Sequence, residues 1–125
     1  MTIEQLFSLI SMNFSAGDVM DNPSGGITTI VSIRSDKLSY IRGKSRMYLP
    51  CDTILAVISN YFGGILTTNM LKQFAPSIFD QKYGGHNCNC TFLMCILTRL
   101  EFTECGIQGS GRRGDPFFVR MKASA

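Results

Sequence analysis

The chain has 125 residues, the size of one compact domain. Its 45% hydrophobic content is enough to build a core and excludes a disordered chain; a formal net charge of +3 does not by itself indicate nucleic acid. Met1-Thr2-Ile3-Glu4-Gln5 has no basic, apolar leader, and the most apolar window, 91–97, is too short to span a bilayer, so neither secretion nor a membrane is expected. Five cysteines, an odd number without the spacing of a disulfide framework, imply a reduced, cytoplasmic setting.

From the N-terminus, Thr2 to Ser11 predicts a helix. Ile3, Leu6, Phe7 and Ile10 share one face, and Thr2 with Gln5 can form a capping box. Residues 13–26 are rich in Gly, Asp, Asn, Pro and Ser and read as a loop. Three strand-like runs follow, Ile27–Ile33, Lys37–Arg42 and Ser45–Leu49. A two-residue turn at Gly43-Lys44 would set Arg42 opposite Ser45 and Tyr40 opposite Met47. Leu38, Tyr40, Met47 and Leu49 would then be buried together, with Ser39, Ile41, Arg46 and Tyr48 on the other face.

The second half is helical in character. Asp52 is placed to cap a helix whose apolar positions are Ile54, Leu55, Val57, Ile58, Tyr61 and Phe62, and Gly63-Gly64 ends it. Thr67 or Thr68 can cap a second helix through Met70, Leu71 and Phe74, limited by Pro76. After a polar loop, 80–86, a third helix begins at 87–89 and runs to about Leu100, with Phe92, Leu93, Ile96, Leu97 and Leu100 as its buried stripe. Two strands, 102–108 and 116–121, close the chain around Gly109-Ser110-Gly111-Arg112-Arg113-Gly114-Asp115.

Charge is clustered along the chain. Arg34, Lys37, Arg42, Lys44 and Arg46 crowd one segment, and Arg112, Arg113, Arg120 and Lys122 another. Such clusters are the footprint of a phosphate-binding surface. Arg112 and Arg113 on a glycine-rich tip can make charge-assisted contacts with a phosphate backbone.

Three helices and then a hairpin is an order with a known counterpart. The helix from Asp52, the Gly63-Gly64-Ile65-Leu66-Thr67-Thr68 link, the third helix, and the ending Gly106-Ile107 through Pro116-Phe117 resemble the winged helix-turn-helix superfamily over about 52–122. The fold implied is α+β: an N-terminal helix and small antiparallel meander, 1–50, fused in a single domain with a winged-helix part, 51–125. The resemblance implies that the third helix enters the major groove of double-stranded DNA. Base-reading candidates on its non-stripe side are Asn87, Asn89, Thr91, Met94 and Thr98, because Asn pairs with adenine edges and Thr with base edges or the thymine methyl. Backbone candidates are Arg112, Arg113 and Ser110 of the wing, with Arg99 and Arg46. The expected protein is a small prokaryotic or phage-type transcriptional regulator or mobile-element accessory protein, with a homodimer as one option and with no cofactor and no small-molecule ligand.

Three other readings stand beside it. A winged-helix shape can serve protein interaction or dimerisation without DNA. The strands interleave Tyr40, Arg42, Arg46 and Tyr48, a combination that can bind single-stranded nucleic acid by stacking, although Tyr40 is better read as core. Catalysis is not expected: a nuclease wants clustered carboxylates around a metal, and the nine acids are scattered. His86, Cys88 and Cys90 form at most a weak metal motif, because Cys88-x-Cys90 is tighter than the usual paired-ligand spacing and lacks a second pair.

Overall fold

The computed structural model describes residues 1–123 and is a mixed α+β structure. The chain divides into two compact units, Met1–Val57 and Ile58 onward, with the boundary inside a helix.

The first unit opens with α1 (Ile3–Asn13), and its start is the expected capping box: Gln5 N–H donates to Thr2 Oγ1 at 3.1 Å and Thr2 N–H to Gln5 Oε1 at 2.8 Å. Leu6 and Ile10 are its fully buried residues. A four-stranded antiparallel meander follows: β1 (Val19–Asp21), β2 (Ile27–Ile33), β3 (Lys37–Arg42) and β4 (Ser45–Pro50), in that spatial order. The register of β3 with β4 is the one set by a two-residue turn at Gly43-Lys44, pairing Arg42 with Ser45 and Tyr40 with Met47. Leu38, Tyr40, Met47 and Leu49 are accordingly buried, while Ile41, Arg46 and Tyr48 are exposed. Ser39, expected on the outer side, is nevertheless buried.

One strand lies where the composition predicts a loop. Asn22 N–H donates to Gly26 O, and the turn between them folds Val19–Asp21 back onto Ile27–Thr29. The helix α2 (Cys51–Asn60) starts two residues earlier than a cap at Asp52 would allow. No linker separates it from β4, and the Cys51 N–H donates to Asp36 O at 2.9 Å. Asp52 therefore sits inside the first turn, where its carboxylate favours the helix dipole, and is not the cap.

In the second unit, Ile65–Thr67 forms a strand, β5, in place of the expected link, because it has a partner far along the chain. It pairs antiparallel with β6 (Phe118–Arg120), Leu66 opposite Val119 and Ile65 opposite Arg120. Leu66 and Val119 are fully buried, so this short pairing faces the core. Thr67 Oγ1 accepts from Met70 N–H at 3.1 Å and caps α3 (Thr68–Phe74). Pro76, expected only to stop that helix, starts the four-residue α4 (Pro76–Phe79), since proline lacks the N–H that a first helical turn leaves unpaired. A 3-10 turn (Gln81–Tyr83) leads to α5 (Cys88–Arg99).

The expected closing hairpin forms only in part: 118–120 is a strand, but 102–108 is not, and it meets β6 through isolated bridges. Thr103 bridges Met121 and Gln108 bridges Phe118; Glu104 N–H donates to Arg120 O, and residues 105–107 lie between. β6 is thus bonded on both edges, to β5 and to the 103–108 segment.

The end of α5 is a Schellman motif. Phe102 N–H donates to Leu97 O at 2.9 Å and Glu101 N–H to Thr98 O at 3.0 Å, while Phe102 and Leu97 are both buried. Glu101 occupies the left-handed position at φ 64°, the only non-glycine among the described residues with positive φ. A side chain there costs about 1 kcal/mol. Glu101→Gly is therefore expected to raise the urea midpoint, by at most about 1 kcal/mol of stability because glycine also frees the unfolded chain; a lowered midpoint would contradict this reading of the cap.

Candidate nucleic-acid interface

The net positive charge resides entirely in the second unit. The first unit balances Arg34, Lys37, Arg42, Lys44 and Arg46 against five acids, whereas the second carries Lys72, Lys82, Arg99, Arg112, Arg113, Arg120 and Lys122 against four. Several cations of the first unit are engaged locally. Lys37 Nζ lies 4.5 Å above the Tyr48 ring and the Arg46 guanidinium 5.9 Å from it. Arg42 Nε donates to the buried Thr28 Oγ1 at 2.7 Å, and Tyr40 is fully buried. A stacking surface for single strands is thereby reduced to Tyr48, whose ring already carries two cations.

The loop 109–116 is built by its own backbone. Residues 112–115 form a turn closed by Asp115 N–H donating to Arg112 O at 2.9 Å, and Gly114 at φ 82° occupies the third position, where a type II turn needs positive φ. Gly111 N–H donates back to Asp115 O at 3.0 Å. The Asp115 carboxylate accepts from Ser110 N–H at 3.0 Å, and Ser110 Oγ accepts from Arg112 N–H at 3.3 Å. Gly111, at φ 75°, lies so close to the Phe117 ring that a Cβ there would overlap it. The only acid of the loop and the Ser110 hydroxyl thus hold its shape, and Arg112 and Arg113 are left exposed at the tip.

The third-helix candidates are placed differently from expectation. Asn89, Thr91 and Met94 are 2%, 7% and 0% exposed, so no base-reading face exists at the middle of α5. The reason is in the composition of the helix. Cys90 and Met94 extend the apolar surface beyond the Phe92, Leu93, Ile96 and Leu97 stripe, so residues 89–94 are buried on every side and the helix reaches solvent mainly toward its ends. Asn89 Nδ2 donates to Ile78 O at 3.0 Å, tying α5 to α4, and Thr91 Oγ1 donates back to Cys88 O of its own helix at 3.4 Å. Asn87 is exposed, but its Oδ1 accepts from Gln81 N–H at 3.3 Å and braces the turn before α5. Thr98 is half-buried, with its Oγ1 3.2 Å from that of Thr103. Arg99 is exposed in the last turn, and Arg46 is exposed in the first unit.

The weak metal motif does not assemble. Among the described residues no three His, Cys, Asp or Glu side chains are grouped to hold an ion. His86 is exposed, whereas Cys90 is buried with its Sγ 3.8 Å from Phe79 O and 3.9 Å from Thr68 O. Burial pushes the Cys90 thiol up to about 12, against a lowering by Lys72, with Asp80 and Cys88 adding to the rise. Burial, aided by Asp36 and Asp52, likewise pushes Cys51 up to about 11. Both thiols stay protonated at neutral pH, unsuited to nucleophilic attack.

Two further exposed residues lie outside the sequence-derived candidates. Tyr83, 63% exposed, and Lys82 stand in the turn before α5. That turn is fixed by Lys82 N–H donating to Asp80 Oδ1 at 3.0 Å and Gly85 N–H to Asp80 O at 2.9 Å. The signal for them in the sequence is an aromatic next to a lysine in an otherwise polar loop. Among the described residues, no helix is long and apolar enough to cross a membrane. No protein-family model, curated protein or solved structure matches the chain.

The burial of Asn89 gives a direct check on its role. Asn89→Ala removes this donor, although the Ile78 carbonyl still accepts from His86 N–H at 3.0 Å, and is expected to cost about 0.5–1.5 kcal/mol in urea unfolding. Below the melting temperature, the base composition of duplexes retained in a selection should be unchanged; an altered preference would return Asn89 to the base-reading set.

Proposed function

We propose that this protein binds double-stranded DNA chiefly through the phosphate backbone, with the loop 109–116 as its principal contact. The observation that carries this reading is the pairing of charge and rigidity in the second unit: all of the net positive charge lies there, and two of its arginines ride on a loop whose own acid is committed to backbone hydrogen bonds. Arginines on a hydrogen-bonded backbone lose less main-chain freedom on meeting a phosphate than arginines on an unstructured tail, and their forked geometry suits phosphate oxygens.

The order of elements from α2 through α3 and α5 to the partly formed hairpin supports a winged helix-turn-helix arrangement, in which 109–116 is the wing. The buried α5 departs from that arrangement. With its middle turned inward, base contacts are confined to its ends, near Asn87 and Thr98, and sequence discrimination is expected to be weak. The corresponding role is that of a small regulator or accessory protein that relies on non-specific, salt-sensitive association.

A second reading, protein interaction or dimerisation, is favoured by one observation. The first unit exposes Val19 (56%), Ile27 (53%), Ile41 (38%) and Tyr48 (45%), apolar side chains that a partner could cover.

Fluorescence anisotropy with a random-sequence duplex at low salt separates the two. Micromolar binding is expected. Arg112→Ala/Arg113→Ala should weaken it about tenfold or more, because two charge-assisted donors to phosphate are removed, while the thermal melt stays unchanged. Absence of binding by the unsubstituted protein would sink the DNA reading and leave the interaction reading.

A further inference from the structure

We propose that the outer face of β6 is a second phosphate-contacting element, continuous in sequence with the loop 109–116 and carried by Arg120 and Lys122. This inference rests on the duplex-binding reading and extends its site from a loop tip to a strand. The pleat of β6 separates its residues cleanly. Val119 and Met121 are 0% and 2% exposed and point inward, opposite Leu66 and Thr103, which are buried as well. Alternation then puts Phe118 and Arg120 on the other face, and Lys122 follows two residues past the end of the strand, its backbone still bonded to Gly63 and Phe102. Phe118 is half-buried, while Arg120 and Lys122 are exposed.

This face is built. Arg120 lies with its guanidinium 5.9 Å from the Phe118 ring centroid, so the strand's own aromatic supports the cation. The backbone beneath is held from both sides. Arg120 O accepts from Glu104 N–H at 2.8 Å, Met121 N–H donates to Gly64 O at 2.9 Å, and Lys122 accepts at its O from Gly63 N–H and donates from its N to Phe102 O, both at 2.9 Å. Ile65, paired with Arg120, is 42% exposed and provides an apolar neighbour. Glu104 is the exposed acid on the adjoining segment, so the stripe keeps an excess of positive charge. A stripe of cations on a paired strand, leading from a doubly basic tip, complements an extended polyanion better than a compact acidic partner. The occupant is the sugar-phosphate backbone of the duplex that the loop meets.

The test is the salt dependence of duplex binding by the full chain, measured with the same random-sequence duplex for the unsubstituted protein and its variants. Removing one cation that neutralises a phosphate should flatten the slope of log affinity against log salt by about 0.9. Arg120→Gln/Lys122→Gln is therefore expected to flatten it by about 1.8, Arg120→Lys to keep it, and Arg112→Ala/Arg113→Ala to flatten it independently. Lys122→Gln alone, at an exposed side chain, carries the test if Arg120→Gln lowers stability. An unchanged slope in both glutamine variants, alongside a flattened slope in Arg112→Ala/Arg113→Ala, would overturn this inference and leave the loop's role standing. Failure of the unsubstituted protein to bind duplex would overturn both.

Discussion

Strand β6 is three residues long and hydrogen-bonded along both edges, and the second unit depends on it. One edge meets β5, which enters α3 directly through the Thr67 cap. The other meets the segment that leaves α5 through its Schellman motif. Without β6, β5 has no ladder partner, and the loop 109–116 is anchored at one end only. Three backbone pairs would be marginal alone. They persist because Leu66, Val119 and Met121 are buried, so opening the strand would expose apolar surface.

The same strand separates stability from charge. Its inner residues are apolar, and its outer ones, with the loop that precedes it, carry the cations. The two demands therefore do not compete for positions, and arginines can be displayed without desolvating them. In α5 the two demands would have competed, and the core won. A helix buried along most of its length has no face left for reading bases, so on the proposed duplex-binding reading discrimination comes from the helix ends or from the shape and deformability of the duplex. Backbone contact is the interaction that the proposed reading assigns to this scaffold.

Local rules make much of the fold legible in the sequence. The Thr2–Gln5 box marks the start of α1, and a glycine-first turn at Gly43-Lys44 sets the whole β3–β4 register, including which of Tyr40 and Tyr48 is buried. What escapes a sequence reading is non-local. Ile65–Thr67 is a strand only because Phe118–Arg120 lies beside it, and nothing within a short window around Leu66 announces that partner. Val19–Asp21 is hidden by the Gly, Asn and Pro of the turn that makes it pair. The loop with Arg112 and Arg113 is legible because glycines, a proline and paired arginines mark a basic turn, although its bracing by Asp115 and Ser110 is not. In α5 a single leucine and isoleucine stripe suggests one buried face, whereas Cys90 and Met94 extend the apolar surface beyond it.

The central claim is that duplex DNA is met by the loop 109–116 and its strand, and not by the middle of α5. Amide hydrogen exchange on the intact protein, with and without duplex at low salt, tests it most directly. Added duplex should slow exchange across 109–122 while leaving the already protected amides of 90–97 unchanged. Slowed exchange centred on α5, with 109–122 unaffected, would contradict the account.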